Sequence, residues 1–270
     1  MSETDKLFAG SIPENYDRHM VPLIFDTYAR DMAQRVAALA PKSVLETAAG
    51  SGVVTRALAP VLAPDASYVV TDLNQPMLDY AKSRQGTDSR IIWQKADAQA
   101  LPFGDAAFDL VCCQFGAMFF PDRPSGYREA RRVLRPGGYF LFNVWDRIEE
   151  NVFANDVTEA LATFFPNDPP RFMARTPHGY HDKSLIRSDL AKAGFDDVVI
   201  ETREAQSRAP SARHVALAYC QGTPLRNEIE ARGRDKLEAA TDHAASVVAS
   251  RHGGGELSAR IQAHIILARA

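Results

Sequence analysis

The sequence predicts an α/β fold built on a doubly wound, mostly parallel sheet with helices on both faces. Three observations predict it. Short apolar runs of strand length alternate with segments of helical period. A glycine-containing corner, Ala49 to Gly52, joins the first of these runs to a helix. The next run closes on an acid, Asp72, about twenty residues further on.

Each element has its own signal. Phe25, Tyr28, Met32, Val36 and Leu39 recur at three- and four-residue spacing and predict a helix over Pro22 to Leu39, ended by Pro41. Ser43 to Thr47 is a first strand, and Val53 to Leu62 a helix that Pro60 shortens or kinks. Ser67 to Thr71 is the second strand. Asn74 suits an N-cap and Pro76 the first turn of a helix carrying Met77, Leu78 and Tyr80. Arg90 to Gln94 and Phe108 to Phe115 are strands three and four. Pro124 to Leu134 is a helix, Pro136 to Gly138 a tight turn, and Tyr139 to Trp145 strand five. A helix over Asp182 to Ala193 stops at Gly194, strand six covers Asp197 to Glu204, and Arg260 to Arg269 is the closing strand. Two segments break the rhythm. Residues 151–180 form an irregular segment between strand five and the next helix, and residues 210–255, between strand six and the last strand, look helical throughout. Both are expected over the carboxyl ends of the strands, where open α/β sheets bind ligands.

Composition removes several functional classes. The net charge of −3 and pI near 6.2 give no basic footprint for nucleic acid, so none is expected as a partner. Met1 to Gly10 has no apolar h-region, and no run of about 18 apolar residues could span a bilayer. Cys112, Cys113 and Cys220 are odd in number, and the first two lie inside an apolar run, which argues for reduced thiols and a cytoplasmic location.

The chemistry centres on Val44 to Gly52 and Asp72. Gly50 and Gly52 lack Cβ atoms, so a ligand can press against the backbone between strand one and its helix. The helix N-terminus offers N–H groups to a carboxylate or phosphate, and Asp72 can accept from both hydroxyls of a ribose. A nucleoside is implied. A dinucleotide fingerprint needs a glycine or alanine at its sixth position; counting from Gly50 that position is Thr55. The Gly-Lys-Ser/Thr ending of a phosphate-binding loop is absent as well.

Five motifs in order resemble the class I S-adenosylmethionine-dependent methyltransferases, of the branch similar to the ubiquinone/menaquinone biosynthesis enzymes. They are Leu45 to Gly52, Thr71 to Leu78, Ala96 to Phe103, Phe108 to Val111 and Arg132 to Gly138. The resemblance implies a Rossmann-like, seven-stranded, mostly parallel sheet with an antiparallel last strand and a helical cap. It implies one methyltransferase domain over 1–270, with an N-terminal helical arm at 1–40, a cofactor-binding core at 41–146 and the cap at 205–257 before the last strand. S-adenosylmethionine is the implied cofactor. Its site takes in Glu46, Ala48, Gly50 and Gly52, with the two glycines close to the methionine and ribose. Asp72 would hold the ribose hydroxyls, Leu73 and Met77 the adenine faces. Asp97 would accept from the adenine amine beside the Ala98 N–H, and Gln114, followed by Phe115, would help hold the methionine amino group. Ala48 stands where the family motif has its first glycine, adding one methyl group.

The acceptor is a small molecule, and the apolar positions Val215, Leu217, Leu225, Ile229, Leu237 and Val248 on amphipathic helices suit a partly hydrophobic one. The same helices could form a homodimer interface. Tyr16, His19, His178 and His181 are expected at the acceptor pocket. The His178/His181 pair has no Cys or acidic partner at metal-ligand spacing, so no metal is expected. An NAD-dependent oxidoreductase would share the strand–glycine–helix–acid plan but none of the later motifs. A non-catalytic nucleoside-binding paralogue would share all of them.

Overall fold

The computed structural model describes residues 12–270. The chain forms one seven-stranded sheet in the order β3-β2-β1-β4-β5-β7-β6. The strands are β1 (Ser43–Glu46), β2 (Ser67–Asp72), β3 (Ile91–Lys95), β4 (Phe108–Gln114), β5 (Leu134–Trp145), β6 (Asp197–Ala209) and β7 (Leu257–Arg269). β1 pairs in parallel with both β2 and β4, β3 with β2 and β5 with β4. β7 is antiparallel: Gly137 on β5 donates to the Ala270 carbonyl, while Asp146, beyond the other end of β5, donates to Gln262. Every residue of β1 is buried and β4 nearly so, as expected of central strands covered on both faces. β3, at the edge, is only partly covered.

The helices are α1 (Ile12–Asn15), α2 (Asp26–Ala38), α3 (Val53–Leu58), α4 (Gln75–Gln85), α5 (Arg123–Val133), α6 (Val152–Phe164), α7 (Phe172–Arg175), α8 (Lys183–Lys192), α9 (Ala212–Gln221), α10 (Leu225–Ala231) and α11 (Lys236–His252). A π-helical run, Tyr16–Phe25, joins α1 to α2. None of the helices described is long and apolar enough to cross a membrane.

Contacts divide the chain into two compact units. The first comprises 27–144, 180–203 and 263–270, and holds β1 to β4, most of β5, α2 to α5 and α8. The second, of the described residues, comprises 12–26, 145–179 and 204–262. In it α11 packs on both α9 and α6, and the π-helical run packs on α9. The buried faces of these helices carry Val215, Leu225, Ile229 and Val248.

Three sequence expectations are corrected. The helix expected over Pro22 to Leu39 begins earlier, and Pro22 lies inside the π-helical run. A proline there would clash with the preceding turn of an α-helix, and the wider turn accommodates its ring. Pro136 to Gly138 is not a turn before β5 but part of it. Phe108 pairs with Leu134 and Leu110 with Tyr139, so the extra residues bulge, and β7 supplies Ala270 as the partner of Gly137 and Gly138. A Cβ on Gly138 would come within 2.9 Å of the carbonyls of Arg135 and Asp109. Residues 151–180 contain a 13-residue helix, α6, with Phe153, Val157, Ala160 and Leu161 buried at helical spacing. That period is present in the sequence. The asparagines among it and the prolines at 166, 169 and 170 obscured it.

Candidate functional site

The strand order reverses between β1 and β4, so the carboxyl ends of these strands flank the topological switch point where open α/β sheets bind ligands. The connections leaving β1, β2 and β4 meet there. The first runs through a series of left-handed backbone conformations: Ala48 has φ 53°, Gly50 57° and Gly52 82°. Such angles turn peptide groups out of the strand and cost little at glycine, more at alanine. The glycines differ in use. A Cβ on Gly52 would lie 2.9 Å from the Ala81 Cβ, so its missing side chain lets α3 close on α4. A Cβ on Gly50 would meet only the Met77 methyl at 3.7 Å, so the space beside it is open.

Asp72 ends β2 and is 6% exposed. Its Oδ2 accepts from the Gly50 N–H at 2.8 Å and its Oδ1 from the Asn74 N–H at 2.7 Å. Burial pushes this carboxyl above its usual range, and the bonds from Asn74 and Gly50 oppose that shift. Oδ1 also accepts from the Asn74 side-chain amide at 3.4 Å, so the further lone pair for a ligand hydroxyl is on Oδ2. The carboxylate thus ties the β2 corner to the glycine loop and retains the capacity to accept from a hydroxyl.

Glu46 sits beneath this loop, 1% exposed. Thr55 donates to its Oε2 at 2.7 Å, and the Tyr68 hydroxyl donates to the same oxygen. Burial pushes its carboxyl up to about 7. The bonds drawn to Glu46 come from the protein's own side chains, which makes it a support for the loop.

At the end of β4, Phe115 is buried with φ 52°, and its ring meets Tyr28 edge-on at 5.4 Å. Gly116 follows because a Cβ there would lie 2.4 Å from the Ala48 Cβ and 2.8 Å from Cys113 Sγ. The β1 and β4 connections therefore touch through Ala48, so the methyl group added at this position contacts the protein itself. Leu73 is 42% exposed and Met77 is buried. Asp97 folds the segment after β3 on itself: its Oδ1 accepts from the Gln99 N–H at 2.9 Å, and its backbone bridges to Ala100. Ala98 is half-buried within that turn.

A sequence profile described as a methyltransferase domain matches residues 45–142, the stretch that builds this corner. The ubiquinone/menaquinone biosynthesis C-methyltransferase UbiE of Burkholderia mallei is 30% identical over 165 residues, covering 57% of this chain and 68% of that protein. The chain belongs to the class I S-adenosylmethionine-dependent methyltransferases. The UbiE protein of Ectopseudomonas mendocina is 28% identical over 57% of this chain; the match spans 65% of that relative's length. Among solved structures, a Bacillus halodurans protein studied as a methyltransferase superposes with a TM-score of 0.58 at 21% identity, over 89% of this chain and 97% of its own, a likeness of fold.

Within this methyltransferase fold, the cofactor candidates from Glu46 to Phe115 all fall in the first unit, at the carboxyl ends of its strands. Asp72 and Gly50 are joined by a 2.8 Å hydrogen bond between the β2 and β1 corners. Three of the four acceptor candidates fall in the second unit, and His181, half-buried, in the first. Tyr16 stacks on Phe25 at 5.0 Å, Phe25 meets Trp145 at 5.9 Å, and Trp145 meets His178 at 6.1 Å. His178 is buried, and its Nδ1 lies 2.8 Å from the Asp146 carbonyl. A carbonyl only accepts, so Nδ1 is the donor in this bond. His19 meets His214 edge-on at 4.7 Å, and burial, with His214 and Arg18 nearby, lowers its pKa. Among the described residues no group of three or more His, Cys, Asp or Glu is placed to hold a metal.

Sequence reasoning missed Thr55 and Tyr68, which hold Glu46, and Asn143, whose Oδ1 accepts from the Phe115 N–H. Asn143 had a readable signal: one amide inside the apolar run Phe140 to Trp145.

Proposed function

We propose that this chain transfers the methyl group of S-adenosylmethionine to a small, partly hydrophobic acceptor. The observation that carries the reading is the Asp72 carboxylate, tied to Gly50 and Asn74 beside the switch point with an Oδ2 lone pair left for a ribose hydroxyl. When bound, the cofactor supplies a methyl group already activated on a sulfonium, so the reaction is an in-line displacement. The protein's task is then to hold the partners in line. Alignment of this kind is worth roughly 7–11 kcal/mol in favourable cases.

In this reading Asp72 fixes the ribose, and Gly50 lets the backbone approach the cofactor. Leu73 and Met77 flank the adenine, Asp97 and Ala98 read its edge, and Gln114 and Phe115 hold the methionine end. Glu46, Ala48 and Gly52 keep the loop in shape. A partly hydrophobic acceptor is supported by the relatives named for ubiquinone/menaquinone biosynthesis. Tyr16, His19, His178 and His181 are assigned to the acceptor. We place the reaction in the cytoplasm, with a homodimer as the working assembly.

The test is thermal unfolding of the purified protein with S-adenosylmethionine, S-adenosylhomocysteine and NAD in parallel. A ligand at a hundred times its Kd stabilises the native state by about 2.7 kcal/mol. The first two ligands should raise Tm and NAD should leave it unchanged. A rise with NAD alone would overturn the reading.

A further inference from the structure

Asn143 is 1% exposed, near the carboxyl end of β5, in register with Gln114 of β4. The Phe115 N–H donates to both its carbonyl oxygen, at 3.2 Å, and its side-chain Oδ1, at 3.0 Å. This settles the orientation of the amide, because an N–H faces the oxygen and not the NH2 group. Nδ2 therefore points elsewhere, and it is buried without a hydrogen-bond acceptor. Two unspent donors on a buried amide are costly, and native proteins keep such groups where a function uses them.

The order of strands says which ligand. Asp72 ends β2, the Gly50 loop leaves β1, and Gln114 ends β4, so a cofactor held by these residues runs from ribose to methionine along β2, β1 and β4. Asn143 stands one strand beyond, about 4.8 Å further from the ribose. Its amide reaches back to the β4 corner at Phe115, so Nδ2 would lie beside the methionine end of a cofactor so held, next to the methyl group that the acceptor must approach.

We propose that Asn143 binds the methyl acceptor by donating from Nδ2 to an oxygen of it, a carbonyl, phenolic or carboxylate oxygen close to the methylated atom. The assignment rests on the methyltransferase reading above. It narrows the acceptor class to oxygen-bearing compounds and makes Asn143 a specificity-determining residue. The same side chain holds Phe115 in its left-handed conformation, so acceptor binding and the shape of the β4 corner share one amide.

The test uses the full chain, labelled with 15N and saturated with S-adenosylhomocysteine. The side-chain amide resonance of Asn143 is assigned by its loss in Asn143→Asp and Asn143→Ser. Phenol, acetophenone and benzoate are titrated as oxygen-bearing probes, with toluene as the matched control. The expected result is a downfield shift of one Asn143 amide proton with at least one oxygen-bearing probe and none with toluene. That probe should bind wild type about tenfold more tightly than toluene, and the advantage should vanish in Asn143→Asp, which keeps the oxygen facing Phe115 but loses both donors. S-adenosylhomocysteine affinity should stay within twofold in that variant. An amide unmoved by all three probes in the S-adenosylhomocysteine complex would overturn the proposal. So would an amide proton moved by S-adenosylhomocysteine alone, which would give the group to the cofactor. Failure of wild type to bind S-adenosylhomocysteine at all would instead remove the methyltransferase reading beneath it.

Discussion

Glu46 illustrates how a single buried residue sets a property of the molecule. Its carboxyl moves from 4.5 in an unburied glutamate to about 7, chiefly through burial, with Tyr68 and Thr55 partly offsetting the shift. Because the folded-state value is raised, the stability linked to this group is full below about pH 4.5 and is lost as pH rises through 7. The whole effect has a ceiling of roughly 3 kcal/mol. Urea unfolding of wild type should therefore show stability falling between about pH 4.5 and 7 and levelling above it, and Glu46→Gln should flatten much of that slope. Equal slopes in the two proteins would show that Glu46 does not titrate in this range. The motif marked Glu46 from the sequence as part of the cofactor site. Its role beneath the loop was not legible there, because Tyr68 lies on a different strand and reaches Glu46 only through β1–β2 pairing.

At the scale of elements, ends were legible where a side chain makes the end. Asp182 was read as the start of a helix, and it caps α8 by accepting from the N–H groups of Ser184 and Leu185 at 2.7 and 3.3 Å. Asp182→Ala should cost about 1 kcal/mol in chemical denaturation, and Asp182→Asn should recover most of it. No loss in the alanine variant would mean that packing of α8 carries its N-terminus unaided. Ends set by a distant partner were not legible. β5 begins at Leu134, five residues before the expected start, because β4 pairs with Leu134 and Tyr139 around the bulge and the chain after β7 pairs with Gly137 and Gly138 within it. β6 and β7 each reach 13 residues for the same reason. Ser258 bonds to Gln206, and Thr202 lies against His264, so the two strands extend each other.

At the scale of the whole molecule, cofactor and acceptor candidates divide between the two units. Every cofactor candidate belongs to the first, while Tyr16, His19 and His178 belong to the second. Alanine at any of these three should therefore leave the Kd for S-adenosylhomocysteine within about twofold, a few tenths of a kcal/mol. Turnover of an identified acceptor should fall. Calorimetry and a radiolabelled methyl-transfer assay on the same preparations separate the two effects. Unchanged turnover in all three variants would withdraw their assignment to the acceptor.

The sequence by itself determined the α/β class, the order of elements from β1 to β4 and the family. These features rest on local periods and on motifs contiguous in the chain, such as Leu45 to Gly52. Tertiary structure decided which atoms those residues use. Gly52 and Gly50 look alike in the motif, yet Ala81 fills the space beside one and the other stays open. Asn143 acquires its orientation from Phe115, 28 residues away on the neighbouring strand. The physical reason is that a backbone period states which face is buried, whereas a hydrogen-bond partner is fixed only once pairing of distant strands has set the register.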